Sequence, residues 1–110
     1  MQLNEYQDKA LETANFSAIG GYDFIYPLLG LAGEMGEIFE KIKKIFRDKG
    51  GVFTEEDRIA IGKEIGDQFW YVVVLAKKFG FTLEEIGQMN IDKLSSRKER
   101  NVISGEGDNR

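Results

Sequence analysis

The 110-residue sequence contains no cysteine and no histidine. The lack of cysteine excludes disulfides, thiolate zinc sites and cysteine nucleophiles. The lack of histidine excludes the Ser-His-Asp triad, zinc-water hydrolases and the Glu-x-x-His di-iron sites of helical bundles. Any catalysis must therefore use Asp, Glu, Lys, Arg, Tyr, Ser or Thr side chains.

Proline and long apolar segments are also scarce. The single proline favours long, uninterrupted helices. The longest apolar run, Phe69–Ala76, has eight residues, whereas a membrane-spanning helix needs about 20. The first residues have neither the basic start nor the apolar segment of a signal peptide. We therefore expect a cytoplasmic protein that does not enter a membrane.

Positive charge is not in excess. The 19 acidic residues outnumber the 15 basic ones, and the net charge is −4, so we expect no general binding to nucleic acid. The length allows one domain. We predict that this domain covers residues 1–101. Residues 102–110 have no helical periodicity and form a C-terminal tail, or a loop that something else orders.

Hydrophobic periodicity predicts four helices and hence an all-α fold with a four-helix bundle-like core. Asn4, or a residue before it, is expected to cap the first helix, and Thr54 and Thr82 begin capping boxes for the third and fourth. Paired glycines indicate a loop at residues 17–23 and end the second helix at Gly50-Gly51. The predicted helices span about residues 3–16, 27–48, 55–79 and 83–101.

The segment Phe69–Leu75 in the third predicted helix is apolar around its whole circumference. A monomeric bundle of this size buries only one stripe of each helix. We therefore expect a second subunit to cover this segment, in an obligate homodimer or a tetramer.

Two acid pairs form the most informative pattern. Glu34 and Glu37 share one face of the second predicted helix, and Glu64 and Asp67 share one face of the third. In an antiparallel hairpin, residues 34 and 67 have their midpoint at 50.5, as do residues 37 and 64, and the turn at Gly50-Gly51 has the same centre. The two pairs are therefore predicted to lie side by side, at the same distance from the turn along the two helices. Four such carboxylates would bind a hard divalent ion, Mg2+ or Mn2+. The alternative is an accidental pairing on solvated faces, as Glu37 and Glu40 also show.

Five glycines surround these acids, although each costs roughly 1 kcal/mol relative to alanine inside a helix. They would allow either a close approach of the two helices or space for a ligand. The glycines are Gly30, Gly33, Gly36, Gly62 and Gly66.

Basic residues gather at the end of the fourth predicted helix. Lys93 and Arg97 share a face with Asn90. Cations near an acidic metal site would suit a bound triphosphate. The alternative is a favourable interaction with the carbonyl end of the helix.

These residues also carry a family resemblance. Gly33–Ile38 and Glu64–Tyr71 resemble the Glu-x-x-Glu and Glu-x-x-Asp halves of the signature of MazG-like nucleoside triphosphate pyrophosphohydrolases, in the all-α NTP pyrophosphatase superfamily. Asn90–Arg97 is similar to the family's phosphate-contacting segment. Gly105–Arg110 is similar to the tail of its small, single-domain members of phage and mobile-element type. The resemblance covers about residues 3–110.

The resemblance implies Mg2+-dependent hydrolysis of a nucleoside triphosphate to the monophosphate and pyrophosphate. It implies a four-helix core that assembles as a dimer or a dimer of dimers, with sites completed by the neighbouring subunit. One acid, or a water that the metal and the acids orient, would supply the nucleophile. The implied metal-binding and catalytic residues are Glu34, Glu37, Glu64 and Asp67, and the implied phosphate contacts are Lys93, Arg97 and Asn90.

The base-recognition residues vary among relatives, so only physical candidates can be named. Aromatic residues around the loop after the first helix would stack on a base, or would instead cap the core. These candidates are Phe16, Tyr22, Phe24 and Tyr26. The alternative to an enzyme is a non-catalytic helical dimer that binds a nucleotide or a protein. The presence of all four acids favours the enzyme.

Overall fold

The computed structural model describes residues 1–110 as four α-helices without a β-strand, which confirms the predicted all-α fold. None of these helices has the combination of length and apolar character that a bilayer crossing requires. The helices are α1 (Leu3–Leu11), α2 (Ile25–Lys49), α3 (Glu55–Lys78) and α4 (Leu83–Glu99).

α2 and α3 form a long antiparallel hairpin. Its turn contains Gly50 and Gly51, with φ angles of 62° and 82°, which glycine adopts without a steric penalty. Thr54 then begins α3 with the predicted capping box. Its hydroxyl accepts from the Asp57 N–H at 3.1 Å, and the Asp57 carboxylate accepts from the Thr54 N–H at 2.9 Å.

α1 is shorter than predicted, because it ends at Leu11 rather than near Phe16. The indole Nε1 of Trp70 donates to the Ala10 carbonyl at 3.2 Å and to the Thr13 hydroxyl at 3.1 Å. The Thr13 hydroxyl also donates to the Ala10 carbonyl at 2.9 Å. The Ala10 carbonyl also accepts from the Thr13 N–H at 3.1 Å, whereas a continued α-helix would supply the Ala14 N–H. With these partners the carbonyl no longer takes part in the α-helical pattern, so the helix stops there.

The N-terminus of α4 is capped by residues of α1 as well as by its own Thr82. The Thr82 hydroxyl accepts from the Glu85 N–H at 3.1 Å, but Glu85 does not return the second bond of the predicted capping box. Instead, Gln7 Oε1 accepts from the Leu83 N–H at 2.9 Å and Asn4 Oδ1 accepts from the Glu84 N–H at 3.0 Å. Asn4 therefore caps α4, and the N-cap of α1 is the earlier residue Gln2, whose side chain makes no capping hydrogen bond.

One chain does not close a four-helix bundle. A small core joins Ala10, Val73 and Leu83, so α1 and α4 meet on the C-terminal half of α3. Among the helices, α2 packs against α3 alone. The radius of gyration is 17.2 Å, compared with about 13 Å for a compact chain of this length. Only nine of the 110 residues are buried.

Part of the apolar segment in α3 is covered by its own chain. Val73 and Val74 are fully buried, and Val73 lies in the core that α1 and α4 form with α3. Large exposed side chains lie along the α2–α3 hairpin, where Phe39 and Phe46 are 64% and 61% exposed. α4 also exposes apolar side chains, and Ile91 is 58% exposed. The surface that still lacks cover therefore lies on the hairpin and on α4.

Residues 102–110 form no helix, as predicted, but they fold into an ordered loop. Asn101, with φ 57°, ends α4 by turning the chain. The Arg110 guanidinium then donates to three main-chain oxygens of the loop, those of Val102 at 3.1 Å, Ile103 at 2.9 Å and Gly107 at 2.6 Å. This segment is called the 102–110 loop below.

The capping box of α3 generates a prediction of pH dependence. A hydrogen bond from Lys49, followed by the bond to Thr54, lowers the pKa of Asp57 to about 2, from about 3.9 in an unfolded chain. A lowered pKa stabilises the fold above about pH 4, and this contribution is lost as the pH falls toward 2. We expect Asp57→Asn to lower the free energy of unfolding at pH 7 and to have little effect near pH 2.

Urea unfolding of both proteins across this pH range measures the effect. Glu56→Gln is the matched control, because it removes a charge from the same turn of α3 without a side-chain hydrogen bond of its own. An equal loss of stability in Asp57→Asn at pH 7 and pH 2 would contradict the assignment.

Candidate metal centre

Three of the four predicted acids meet where α2 packs against α3. One carboxylate oxygen each from Glu34, Glu64 and Asp67 lies within 4.8 Å of the others. Glu34 and Glu64 are half-buried and Asp67 is exposed. Burial raises the pKa of Glu34, and the Asp67 charge, a hydrogen bond with Glu64 and the charges of Glu64 and Glu37 raise it further. The cluster is thus a site where anions repel one another.

Glu37 lies outside this group, which corrects the prediction that all four carboxylates meet. Its side chain is exposed, and its charge is the smallest contribution to the raised pKa of Glu34. Residues three apart on a helix differ by about 60° in direction. A pair with this spacing meets the facing helix with both side chains only where the contact lies between them, as it does for Glu64 and Asp67. On α2 the Glu34 side chain alone reaches the group.

The donor set suits a hard divalent cation. All three groups offer carboxylate oxygen, which Mg2+ and Mn2+ prefer. A nearby cation is Lys41, whose Nζ lies 3.5 Å from Glu64 Oε1. One lysine leaves the three carboxylates with excess negative charge, which adds to the effect of burial in raising the pKa of Glu34. The residues therefore fit a divalent ion between the two helices.

The four predicted base-stacking residues separate into two groups. Phe16 stacks on Tyr26, with ring centroids 4.4 Å apart, and meets Trp70 edge-on at 5.5 Å. Tyr22 and Phe24 instead contact each other at 5.4 Å, and Phe24 continues to Phe79 at 5.2 Å. The two groups therefore belong to different aromatic clusters.

Tyr71 links the first aromatic group to the acids. Burial raises the pKa of Tyr71, and Tyr26, Glu34 and Asp67 raise it further, so its hydroxyl lies near both groups. Its ring centroid is 6.3 Å from that of Phe16. The sequence analysis assigned Tyr71 to a buried apolar run. The signal that was missed is its position one turn after Asp67, on the same helix face.

Gly30 lies against Tyr71, and it is the one glycine near the acids that packing within the chain requires. A Cβ atom at Gly30 would overlap the Tyr71 ring, so close helix packing accounts for this residue. The other four helical glycines near the acids have no neighbour within 4 Å of such an atom, so contacts within one chain do not account for them. They are Gly33, Gly36, Gly62 and Gly66.

The predicted phosphate contacts do not meet the acids within one chain. Lys93 Nζ and Arg97 Nη2 lie 2.9 Å and 3.2 Å from the same oxygen, Oδ1 of Asp108 in the 102–110 loop. Arg97 is only 5% exposed, and its Nε has no hydrogen-bond partner. Asn90 is exposed and makes no side-chain hydrogen bond within the chain.

Comparison with known proteins identifies the family of the chain. The family model of the MazG nucleotide pyrophosphohydrolase domain matches residues 27–102 of the chain. The protein belongs to the MazG family. Across the whole length of both chains, 114 aligned residues, it is 46% identical to the Gene 37 protein of Mycobacterium phage L5, a name that describes no activity. No solved structure matches the chain.

The match to the MazG domain includes both acid pairs and the segment Asn90–Arg97. It leaves α1 and residues 103–110 outside the matched range. The resemblance that the acid motifs indicate is therefore confirmed at the level of the family.

The contact between Gly30 and Tyr71 predicts a specific effect on stability. Gly30→Ala should lower the free energy of unfolding by about 1–3 kcal/mol, because the added methyl group forces the Tyr71 ring away from α2. Gly62→Ala is the control, since its Cβ meets nothing within 4 Å. It should raise stability by up to about 1 kcal/mol through helix propensity. Denaturant unfolding of both variants measures the difference, and equal effects would contradict the packing role of Gly30.

Proposed function

We propose that this MazG-family protein is a Mg2+-dependent nucleoside triphosphate pyrophosphohydrolase, which converts an NTP or dNTP to the monophosphate and pyrophosphate. The observation that carries the proposal is the group of three carboxylates, Glu34, Glu64 and Asp67, within 4.8 Å of one another between α2 and α3. Family membership supports the reaction class. A role in housecleaning or adjustment of the cytoplasmic nucleotide pool fits this reaction.

In this proposal the acids hold divalent ions and orient water toward the triphosphate. Glu34, Glu64 and Asp67 are already close together, and Glu37 joins them by a change of side-chain rotamer from its exposed position. Bound Mg2+, or Mn2+ in its place, would neutralise phosphate charge and make an attacking water more acidic. The carboxylates would then keep this water in line with the phosphorus under attack.

The nucleoside would lie beside the acids, on the aromatic group formed by Phe16, Tyr26 and Tyr71. The rings of Phe16 and Tyr26 stack at 4.4 Å, and the raised pKa of Tyr71 reflects both Tyr26 and the acids Glu34 and Asp67. Stacking on such rings is tolerant of the base. Of the four predicted candidates, Tyr22 and Phe24 are less suited, because they pack toward Phe79.

We infer that the working form is a homodimer, or a dimer of dimers, in which a neighbouring subunit supplies Lys93, Arg97 and Asn90. The first two residues bind the 102–110 loop rather than the acids of their own chain. The hairpin also exposes apolar residues such as Phe39 and Phe46, and the chain is more extended than a compact monomer. Pairing of two hairpins would cover this surface and bring cations to each acid cluster.

Substitution of the acids tests the metal role. Glu37→Gln and Asp67→Asn should each reduce turnover to below about one tenth of wild type, because a lost ligand weakens metal binding by at least that factor. The helical fold should persist, since removal of one charge relieves carboxylate repulsion. Glu40→Gln is the matched control on α2, because Glu40 pairs with Lys43 at the surface. This variant should leave turnover unchanged.

The assay is a panel of natural and damaged NTPs and dNTPs with Mg2+, scored for monophosphate and pyrophosphate. Mg2+ with a non-hydrolysable nucleotide should also raise the melting temperature, because both bind the folded state. Substantial turnover in Asp67→Asn would contradict the metal assignment. Nucleotide binding without turnover in the wild-type protein would favour the non-catalytic dimer instead.

The assembly is tested at the exposed hairpin. Phe39→Asp places a charge on a side chain that is 64% exposed within one chain, so it should spare the monomer fold but dissociate the dimer and abolish turnover. Ile19→Asp is the control, since Ile19 is 44% exposed in the loop before α2, outside the helices that the proposal places at the interface. Light scattering and circular dichroism measure mass and helicity. An active wild-type monomer at micromolar concentration would refute the shared site.

A further inference from the structure

The Lys93–Arg97 pair is bound by a group of the same chain. Oδ1 of Asp108 lies 2.9 Å from Lys93 Nζ and 3.2 Å from Arg97 Nη2, and the main-chain oxygen of Asp108 accepts from Arg97 Nη2 at 2.6 Å. One anionic oxygen bridging a lysine and an arginine is the arrangement that a phosphoryl oxygen takes between the same cations. Hydrogen bonds from Lys93 and Arg97 lower the pKa of Asp108, so its carboxylate is charged.

The pair has unused binding capacity. Arg97 is 5% exposed, and its buried Nε has no partner, even though Asp108 occupies Nη2. A guanidinium in a phosphate complex commonly uses both sides of its fork. A phosphate would thus satisfy a donor that Asp108 does not reach. The buried Nε of Arg97, which has no hydrogen-bond partner, distinguishes the Lys93–Arg97 pair from ordinary cations at the end of a helix.

The 102–110 loop that presents Asp108 is a preformed unit. Three hydrogen bonds from Arg110 hold its main chain, and Arg100 Nη2 donates to the Arg110 oxygen at 2.7 Å. Gly105 and Gly107 have φ angles of 137° and 84°, which only glycine adopts readily. Because the loop is organised around Arg110, it would move as one body when Asp108 leaves the cations.

We propose that the 102–110 loop is an internal competitor for the phosphate site, and that Asp108 occupies the Lys93–Arg97 pair until the phosphates of the substrate displace it. This inference rests on the proposed function only for the identity of the ligand. The loop then sets the affinity of the pair for phosphate.

The exposure of the contact makes this displacement feasible. The side chains of Asp108 and Lys93 are 81% and 38% exposed, and an exposed ion pair contributes little to stability. Arg97 is buried, but its bond to the main-chain oxygen of Asp108 does not depend on the carboxylate. A triphosphate carries several negative charges, so it outcompetes one exposed carboxylate. Removal of the Asp108 charge should therefore strengthen polyphosphate binding by about two- to fivefold, the range that corresponds to a surface ion pair.

The test is calorimetric binding of inorganic tripolyphosphate to the full-length protein in metal-free buffer. Asp108→Asn should lower the dissociation constant two- to fivefold. Glu106→Gln is the matched control, because Glu106 lies in the same loop and makes no ion pair; it should bind as wild type does. Lys93→Ala should weaken binding in either background. Unchanged or weaker binding by Asp108→Asn would overturn the proposal and make Asp108 a positioning residue for the two cations.

A nitroxide label at Glu106→Cys, in a chain that has no other cysteine, provides a second readout by electron paramagnetic resonance. Tripolyphosphate should increase the mobility of the label, because the displaced loop loses its contact with α4. Unchanged or lower mobility would show that phosphate binds without displacing the loop, and would also overturn the proposal. Neither measurement requires turnover. A protein that hydrolyses NTPs but fails these tests would refute the loop mechanism alone, whereas the reverse result would refute the proposed function alone.

Discussion

The contact between α2 and α3 is the constraint on which the other features of this protein depend. The ring of Tyr71 occupies the space that a side chain at Gly30 would fill, so the two helices can approach closely at this point. The same approach places Glu34 beside Glu64 and Asp67. The packing of Tyr71 against Gly30 thus holds the two helices together, whereas repulsion among the carboxylates favours their separation. Burial, and then the charge of Asp67, raise the pKa of Glu34 at this contact, and a bound cation would relieve the repulsion.

Much of the fold could be predicted because its signals are local. Gly50 and Gly51 adopt left-handed conformations that glycine favours, and Thr54 forms its capping box with the third residue after it. The matching positions of the acids along α2 and α3 could also be predicted from local information. A tight turn and a constant rise per residue fix which residues of two helices face each other, and this brought Glu34 to Asp67.

The features that the sequence did not predict depend on residues that are distant along the chain. The end of α1 depends on hydrogen bonds from Trp70, 60 residues from Ala10 along the chain. The direction of the Glu37 side chain depends on the rotation of α2 about its own axis relative to α3. Hydrophobic periodicity does not determine this rotation closely enough to place one side chain. The environment of Arg97 depends on a loop whose fold follows from Arg110. None of these leaves a periodic pattern, so sequence reasoning could name the residues but not their partners.

The caps at the start of α4 have a consequence for how this chain folds. Asn4 and Gln7 satisfy main-chain N–H groups that lie 80 and 76 residues later in the sequence, and Gln7 is only 4% exposed. Such closure of a long chain segment costs entropy before it yields contacts. The first turn of α4 is therefore completed only after α1 has docked. The N-terminal residues of the chain therefore stabilise the helix that carries Lys93 and Arg97, although their hydrogen bonds are to its first turn.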